Sequence, residues 1–461
     1  MTASPSTHPR SGRMLTLDQL RDDIRRGDIE TVIVAFTDMQ GRLQGKYLHA
    51  PYFVDHALGH GVEGCNYLLA VDTDMNTVDG YDMTSWESGY GDMVFELDLD
   101  TIRRLPWQDR TALVQCDLAR TDGQPVPMSP RSMLRRQVER AAGHGWRAVA
   151  GTELEFMVYD DTYEQAWERG YRDLRPANQY NVDYSIVGSA RVEPLLGRIR
   201  REMYAAGMTV ESAKGECNFG QHEIGFLYDD VITTADNHSV YKTGAKVIAA
   251  LEGKAITFMA KPNEREGNSC HIHLSLRGPD DSIVFWDAER RTRTPLYDHF
   301  IAGVLATMRE LTLFYAPNIN SYKRFAVGSF APTAVAWGMD NRTCAVRLVG
   351  QGASARLENR LPGGDTNPYL ALAAMLAGGL HGIEQELPLE PETTGNAYTS
   401  QAPHVPRTLR EARDLFAASD VAKAAFSEEV VRHYVNFADV EIEAYDAAVT
   451  DWELRRGFER L

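Results

Sequence analysis

Apolar and polar residues alternate along the chain in two rhythms, which predict its elements. Residues 17–26 predict a helix. The β-branched run at residues 31–36 predicts a strand, and residues 111–116 predict another. A proline-containing stretch at residues 123–130 reads as a boundary. Beyond it the pattern becomes helix, strand, helix, strand, with helices predicted over residues 130–142, 192–206, 235–251 and 295–314. No internal repeat, low-complexity segment or heptad array is visible. The expected organisation is a flexible tail at 1–14, a small unit at 15–118 and a large unit at 119–461.

Three strand-like segments of the large unit carry unusual polar faces. Side chains two apart on a strand share a face. In Thr152-Glu153-Leu154-Glu155-Phe156 that face holds two carboxylates. In Cys270-His271-Ile272-His273-Leu274-Ser275-Leu276 it holds two histidines and a serine. In Arg356-Leu357-Glu358-Asn359-Arg360 it holds a glutamate between two arginines. A sheet with one solvated face would favour Lys, Thr, Ser and Glu; here ligand-type residues gather on three separate strands.

Glu153, Glu155, Glu216, Glu223, Glu358 and His271 are candidates for a paired divalent-cation site. Carboxylates packed together repel and take up protons, so such a cluster needs cations to stay ionised. Oxygen-rich ligation with one imidazole suits Mg²⁺ or Mn²⁺ better than zinc. Two such ions serve ATP-dependent phosphoryl transfer. Arg324, Arg342, Arg347, Arg356 and Arg360 are candidate clamps for carboxylate and phosphate.

Composition narrows the setting. The 461 residues carry 48 basic and 65 acidic side chains, a formal charge of −17, with 43% hydrophobic and 25% charged residues. That balance describes a folded globular protein and disfavours nucleic acid or an anionic membrane as partner. Five cysteines, Cys65, Cys116, Cys217, Cys270 and Cys344, form no CxxC pair and read as reduced thiols. Cys217 and Cys270 read as small core fillers, and Trp286, Trp337 and Trp452 as packing residues. Residues 1–13 lack the apolar stretch of a signal peptide, and the longest apolar run, residues 370–380, is too short to span a bilayer. The expected location is the cytoplasm.

From about residue 16 to its end the chain resembles the glutamine synthetase family, in the long bacterial type. The resemblance rests on many ordered motifs. They are Asp38-Met39-Gln40-Gly41-Arg42, Gly151 to Phe156, Glu216-Cys217-Asn218-Phe219-Gly220-Gln221-His222-Glu223, and Thr257-Phe258-Met259-Ala260-Lys261-Pro262. Then come His271 to Leu276, Asn320-Ser321-Tyr322-Lys323-Arg324, Asn341-Arg342, Arg356 to Arg360 and Asn367-Pro368-Tyr369-Leu370.

The resemblance implies an α+β fold: an N-terminal β-grasp domain, then a large catalytic α/β domain with an antiparallel sheet half-barrel. It implies a homo-oligomer, a dodecamer of two stacked rings with active sites between neighbours. It implies ATP and two or more Mg²⁺ or Mn²⁺ ions, and ligation of L-glutamate to an amine through a γ-glutamyl phosphate. Glu155, Glu216 and Glu223 would hold one metal, and Glu153, His271 and Glu358 the other. His273, Ser275, Arg342, Arg347 and Arg356 match nucleotide and phosphate positions. Gly267, Arg324 and Arg360 match glutamate-binding positions, with Arg342 and Arg360 at the reacting groups.

Two positions depart from the ammonium-using pattern. An aspartate of that pattern is matched by Glu63 in Val62-Glu63-Gly64-Cys65-Asn66, which remains a candidate base. The flap glutamate before Ala-Pro is matched by Phe330, in Gly328-Ser329-Phe330-Ala331-Pro332. Phenylalanine offers neither a base nor a counter-charge, but it can line a pocket for carbon or face a cationic amine. The expected nucleophile is therefore an organic monoamine such as ethanolamine. The alternatives are a polyamine, ammonia as in ordinary glutamine synthesis, and a catalytically retired scaffold. Tyr398 lies where some bacterial members are adenylylated, but without the expected context, so that modification is not predicted.

Overall fold

Thr16 caps the first helix by accepting from the backbone N–H of Gln19, whose side chain accepts in return, and Gly27 closes the helix in a left-handed conformation (φ 75°). This helix, α1 (Leu17–Arg26), has the predicted bounds. The computed structural model describes residues 14–461; the expected tail lies outside them except for Met14, which forms a bridge with Arg103.

The chain then builds a mixed five-stranded sheet from β1 (Thr31–Thr37), β2 (Leu43–His49), β3 (Val62–Cys65), β4 (Asp92–Arg104) and β5 (Thr111–Arg120). Its order is β2-β1-β5-β4-β3, with β1 and β5 parallel and β3 at an edge.

The second sheet is larger. Its backbone is the order Trp337–Met339, Val346–Val349, Arg356–Asn359, Cys270–Arg277, β6 (Arg147–Tyr159), β8 (Gln221–Phe226), β7 (Val210–Gly215). Every pair along it is antiparallel except the first. Helices Pro130–Gly143, Glu193–Ala205, Val231–Leu251, Pro295–Thr307 and Pro368–Glu384 accompany it. The apolar run at residues 370–380 belongs to the last of these, which is almost wholly buried. Asn367 caps it, and Gly303, Gly378 and Gly382 let its backbone touch that of Pro295–Thr307: a Cβ on Gly303 would stand 2.1 Å from the Gly378 carbonyl.

Three expectations need correction, the first being Cys217, expected as a core filler but only partly buried, with its thiol 3.7 Å from Asp183. The helix expected over residues 295–314 breaks after Thr307 and resumes only as the turn Thr312–Tyr315. The hydroxyls of Thr307 and Thr312 donate to the carbonyls of Gly303 and Met308, four residues earlier, and this bonding competes with a regular ladder. Trp337 is buried, but Trp452 is 66% exposed, with Arg456 over its ring at 4.8 Å.

An ion network centred on the buried Arg131 ties the first sheet to the helices that accompany the second. Arg131 donates to Asp98 on β4, Asp117 on β5 and Asp236 on helix Val231–Leu251, and Tyr369 donates to Asp236. The neighbouring carboxylates outweigh the desolvation of Arg131 and keep it charged. Asn367 adds a second tie, donating to the carbonyls of Asp38 and Met39.

Candidate active site

β6 is the organising strand, since Glu153 and Glu155 project from one of its faces. Strand Cys270–Arg277 sets His271 opposite Glu153, and Arg356–Asn359 sets Glu358 opposite His273. On the other side β8 sets Glu223 opposite Glu155, and β7 sets Lys214 opposite Glu223. Arg347 stands opposite Glu358 on the strand beyond. The three polar segments thus share one face; all eight residues of Cys270–Arg277 are buried, while the Glu153 side chain stays partly open.

Donor oxygens of Glu155, Glu216 and Glu223 lie within 4.8 Å of one another. Glu155 is fixed from behind: its Oε2 accepts from Gln221 (3.0 Å) and from the backbone N–H of Ser269 (2.7 Å). Burial and the charge of Glu155 push the Glu216 carboxyl up to about 8. Burial and the charges of Glu153, Glu216 and Glu155 push Glu223 well above the carboxylate range. Lys214 donates to Glu216 and lies 3.8 Å from Asp183.

Glu153, His273 and Glu358 form a second group of the same size. His271 Nδ1 sits 3.4 Å from Glu153 and 3.6 Å from Glu358. His273 Nδ1 accepts from Arg356 (3.2 Å), so its Nε2–H donates to Glu153 (2.9 Å). Glu358 also accepts from Arg347 and Arg360. Burial raises the carboxyls of Glu153 and Glu358. Hydrogen bonds from the two histidines overcome it at Glu153, and the charges of His271 and Arg360 overcome it at Glu358, so both end below their ordinary values.

The donor chemistry fits two divalent cations. One group offers three carboxylates that repel one another; at the other, Glu153 and Glu358 are faced by the Nδ1 of His271 at 3.4 and 3.6 Å, a spacing an ion can bridge, while His273, which also lies within that group, has both ring nitrogens engaged by Arg356 and Glu153. Oxygen-dominated sets of this kind suit Mg²⁺ or Mn²⁺.

The remaining predicted residues divide by position. Arg324 is buried, donates to the carbonyls of Leu361 and Arg360 and to Ser269, and is lowered by burial to about 10, which leaves it cationic. Gly267 packs against it: an added Cβ would meet the Ala260 carbonyl at 2.2 Å. Arg360 keeps a buried Nε–H without a partner. Ser275 donates to the Ala355 carbonyl. Asp340 gathers Arg347 (3.0 Å) and Arg342 (4.0 Å). Phe330 is 55% exposed in a left-handed conformation (φ 58°), and its carbonyl accepts from Arg360. The Tyr398 hydroxyl donates to the next carbonyl, Ala331. Glu63 stands apart on edge strand β3, exposed, its carbonyl accepting from Lys46, and contacts none of the cluster among the described residues.

Lys214 escaped the sequence reading, and Gln221 stood in a motif without a role of its own. The only signal for Lys214 was spacing, two residues before the candidate ligand Glu216.

Residues 127–457 match the family described as glutamine synthetase, catalytic domain. The chain is 63% identical to the γ-glutamylethanolamide synthetase GlnA4 of Streptomyces coelicolor, over 97% of this chain and 96% of that protein. It is 38% identical to a glutamate–isopropylamine ligase of a Pseudomonas species, over 95% and 97%. Among solved structures it resembles a GmaS/ADP complex with a TM-score of 0.84 and 27% identity, covering 95% of this chain and 99% of the other. No helix among the described residues is long and apolar enough to cross a membrane.

Proposed function

The chain belongs to the glutamine synthetase family, and on that premise we propose that it joins the γ-carboxylate of L-glutamate to a small organic monoamine, such as ethanolamine, at the expense of ATP. The observation that carries this reading is Phe330. The flap position where ammonium-using members resemble one another in a glutamate is here an exposed aromatic ring. It supplies no carboxylate to attract NH₄⁺ or take its proton, and it offers apolar surface to a carbon substituent. The 63% identity to a γ-glutamylethanolamide synthetase supports the same class of amine.

The residues divide the work. Arg324, beside Gly267, and the free Nε–H of Arg360 orient glutamate. Arg342 and Arg347 face the phosphates, and His273, Ser275 and Arg356 the nucleotide. Bound at the two acidic groups, Mg²⁺ or Mn²⁺ would neutralise phosphate charge and hold the reacting oxygens in line. A γ-carboxylate oxygen attacks the terminal phosphorus of ATP, and ADP leaves. The amine nitrogen, as free base, then attacks the acyl carbon, phosphate departs, and the surplus proton passes to a carboxylate. Glu63 takes that role in the site of a neighbouring copy, within a dodecamer; its place on an exposed sheet edge is consistent with this. The cytoplasm is the corresponding location.

Oxygen transfer tests the pathway. Glutamate labelled with ¹⁸O in its γ-carboxylate, with ATP, Mg²⁺ and ethanolamine, should yield labelled phosphate and one γ-glutamylethanolamide per ADP. Unlabelled phosphate, or ADP without amide, would refute the acyl-phosphate route.

A further inference from the structure

Lys214 is a cation inside a cation site. It lies on β7, next to last in the strand and two residues before Glu216, and opposite Glu223 across the ladder. Its ammonium donates to Glu216. The carboxylates around it, Glu155, Glu216 and Glu223, have donor oxygens within 4.8 Å of one another. An ammonium carries three donors and no lone pair, so it can neutralise carboxylates but cannot share a ligand role with a metal. A divalent ion and an ammonium within one such triangle repel each other strongly.

We infer that Lys214 is a built-in counter-cation, which offsets one negative charge of the Glu155–Glu216–Glu223 cluster in the metal-free protein and which an incoming divalent ion displaces. The structure provides a second place for it. Asp183 lies 3.8 Å from the ammonium, at the outer side of Glu216, whose carboxylate is within 4.8 Å of its own, and the Tyr184 ring lies 4.8 Å away as a cation–π surface. A long, flexible stem lets the ammonium exchange one carboxylate for the other with little change in backbone. Lys214 is in this sense a positioning residue: it keeps the empty acidic pocket from springing apart, and it sets metal affinity below what three carboxylates alone would give.

Two effects of opposite sign follow, and a residue that merely oriented Glu216 would not produce both. Lys214→Met keeps the stem and removes the charge. The full-length metal-free variant should unfold at a lower temperature than the wild type, with the difference vanishing at saturating Mn²⁺. Its Mn²⁺ affinity, read from the electron paramagnetic resonance signal of the free ion, should rise by about tenfold. Lys214→Arg, which keeps the charge, should bind Mn²⁺ as the wild type does. The inference rests on the acidic triad being a metal site, and the wild-type titration checks that separately: no Mn²⁺ binding there would refute both. Wild-type binding, with Lys214→Met equal or weaker in affinity, would overturn the role of Lys214 alone.

Discussion

Glu155 on β6 and Glu223 on β8 stand directly opposite each other across an antiparallel ladder. Like charges at such a pair destabilise a sheet. Burial and the neighbouring carboxylates accordingly push Glu223 towards its neutral form in the metal-free protein. The pair makes sense as part of a site completed by a cation, and several consequences can be measured.

Glu358 joins the cation group to the arginine clamps, touching His271, Arg347 and Arg360. Glu358→Gln preserves its shape but loses the charge, and its single carbonyl oxygen can replace only one of the two oxygens that accept from Arg347 and Arg360. Phosphate release dependent on ATP, glutamate and amine should fall by about 10²–10³-fold, with the unfolding transition still cooperative. Unchanged turnover in a phosphate assay would remove Glu358 from the site.

The acidic triad makes metal binding pH-dependent. Burial and the charge of Glu155 raise Glu216 to about 8, whereas an unfolded glutamate titrates near about 4.3. Between those values the folded, metal-free protein holds a proton that the unfolded chain lacks, so its stability falls as pH rises through that window. A bound cation expels the proton. Mn²⁺ affinity should therefore rise from pH 6 towards 8, with proton release detected by calorimetry in buffers of different ionisation enthalpy. Binding without proton release at pH 6.5 would contradict the assignment.

Arg131 should matter for stability far from the chemistry. Arg131→Met leaves Asp236 buried beside Tyr369 without its guanidinium and cuts the tie to Asp98 and Asp117. Breaking a buried pair from one side costs about 3–5 kcal/mol. The urea midpoint should drop accordingly, while a variant with no drop would show the network to be dispensable.

Phe330→Glu restores a flap carboxylate. The ratio of kcat/KM for ammonium to that for ethanolamine should rise by about tenfold. A ratio that does not move would mean that Phe330 has no part in choosing the amine.

Much of this was legible in the sequence, for identifiable reasons. A strand repeats every two residues, so Glu153 with Glu155, and His271 with His273, announced shared faces without any tertiary information. One helix start was equally plain, Asn367 as a cap with Pro368 at the first helical position. Register was not. That Glu223 opposes Glu155 and Lys214 opposes Glu223 depends on pairing between distant segments. Lys214 looks like an ordinary polar residue until that pairing is known. The break after Thr307 comes from side chains competing for backbone carbonyls, which an apolar pattern does not reveal. Nor did net charge mark the site: its five candidate glutamates are few among 65 acidic residues.

The claim that organises all of this is the identity of the nucleophile. The direct measurement is phosphate release by the pure protein with ATP, Mg²⁺ and glutamate, across ammonium, ethanolamine, short alkylamines, putrescine and spermine. The account predicts turnover with ethanolamine or another short monoamine, and a kcat/KM for ammonium lower by about tenfold or more. Turnover supported by ammonium alone would contradict it.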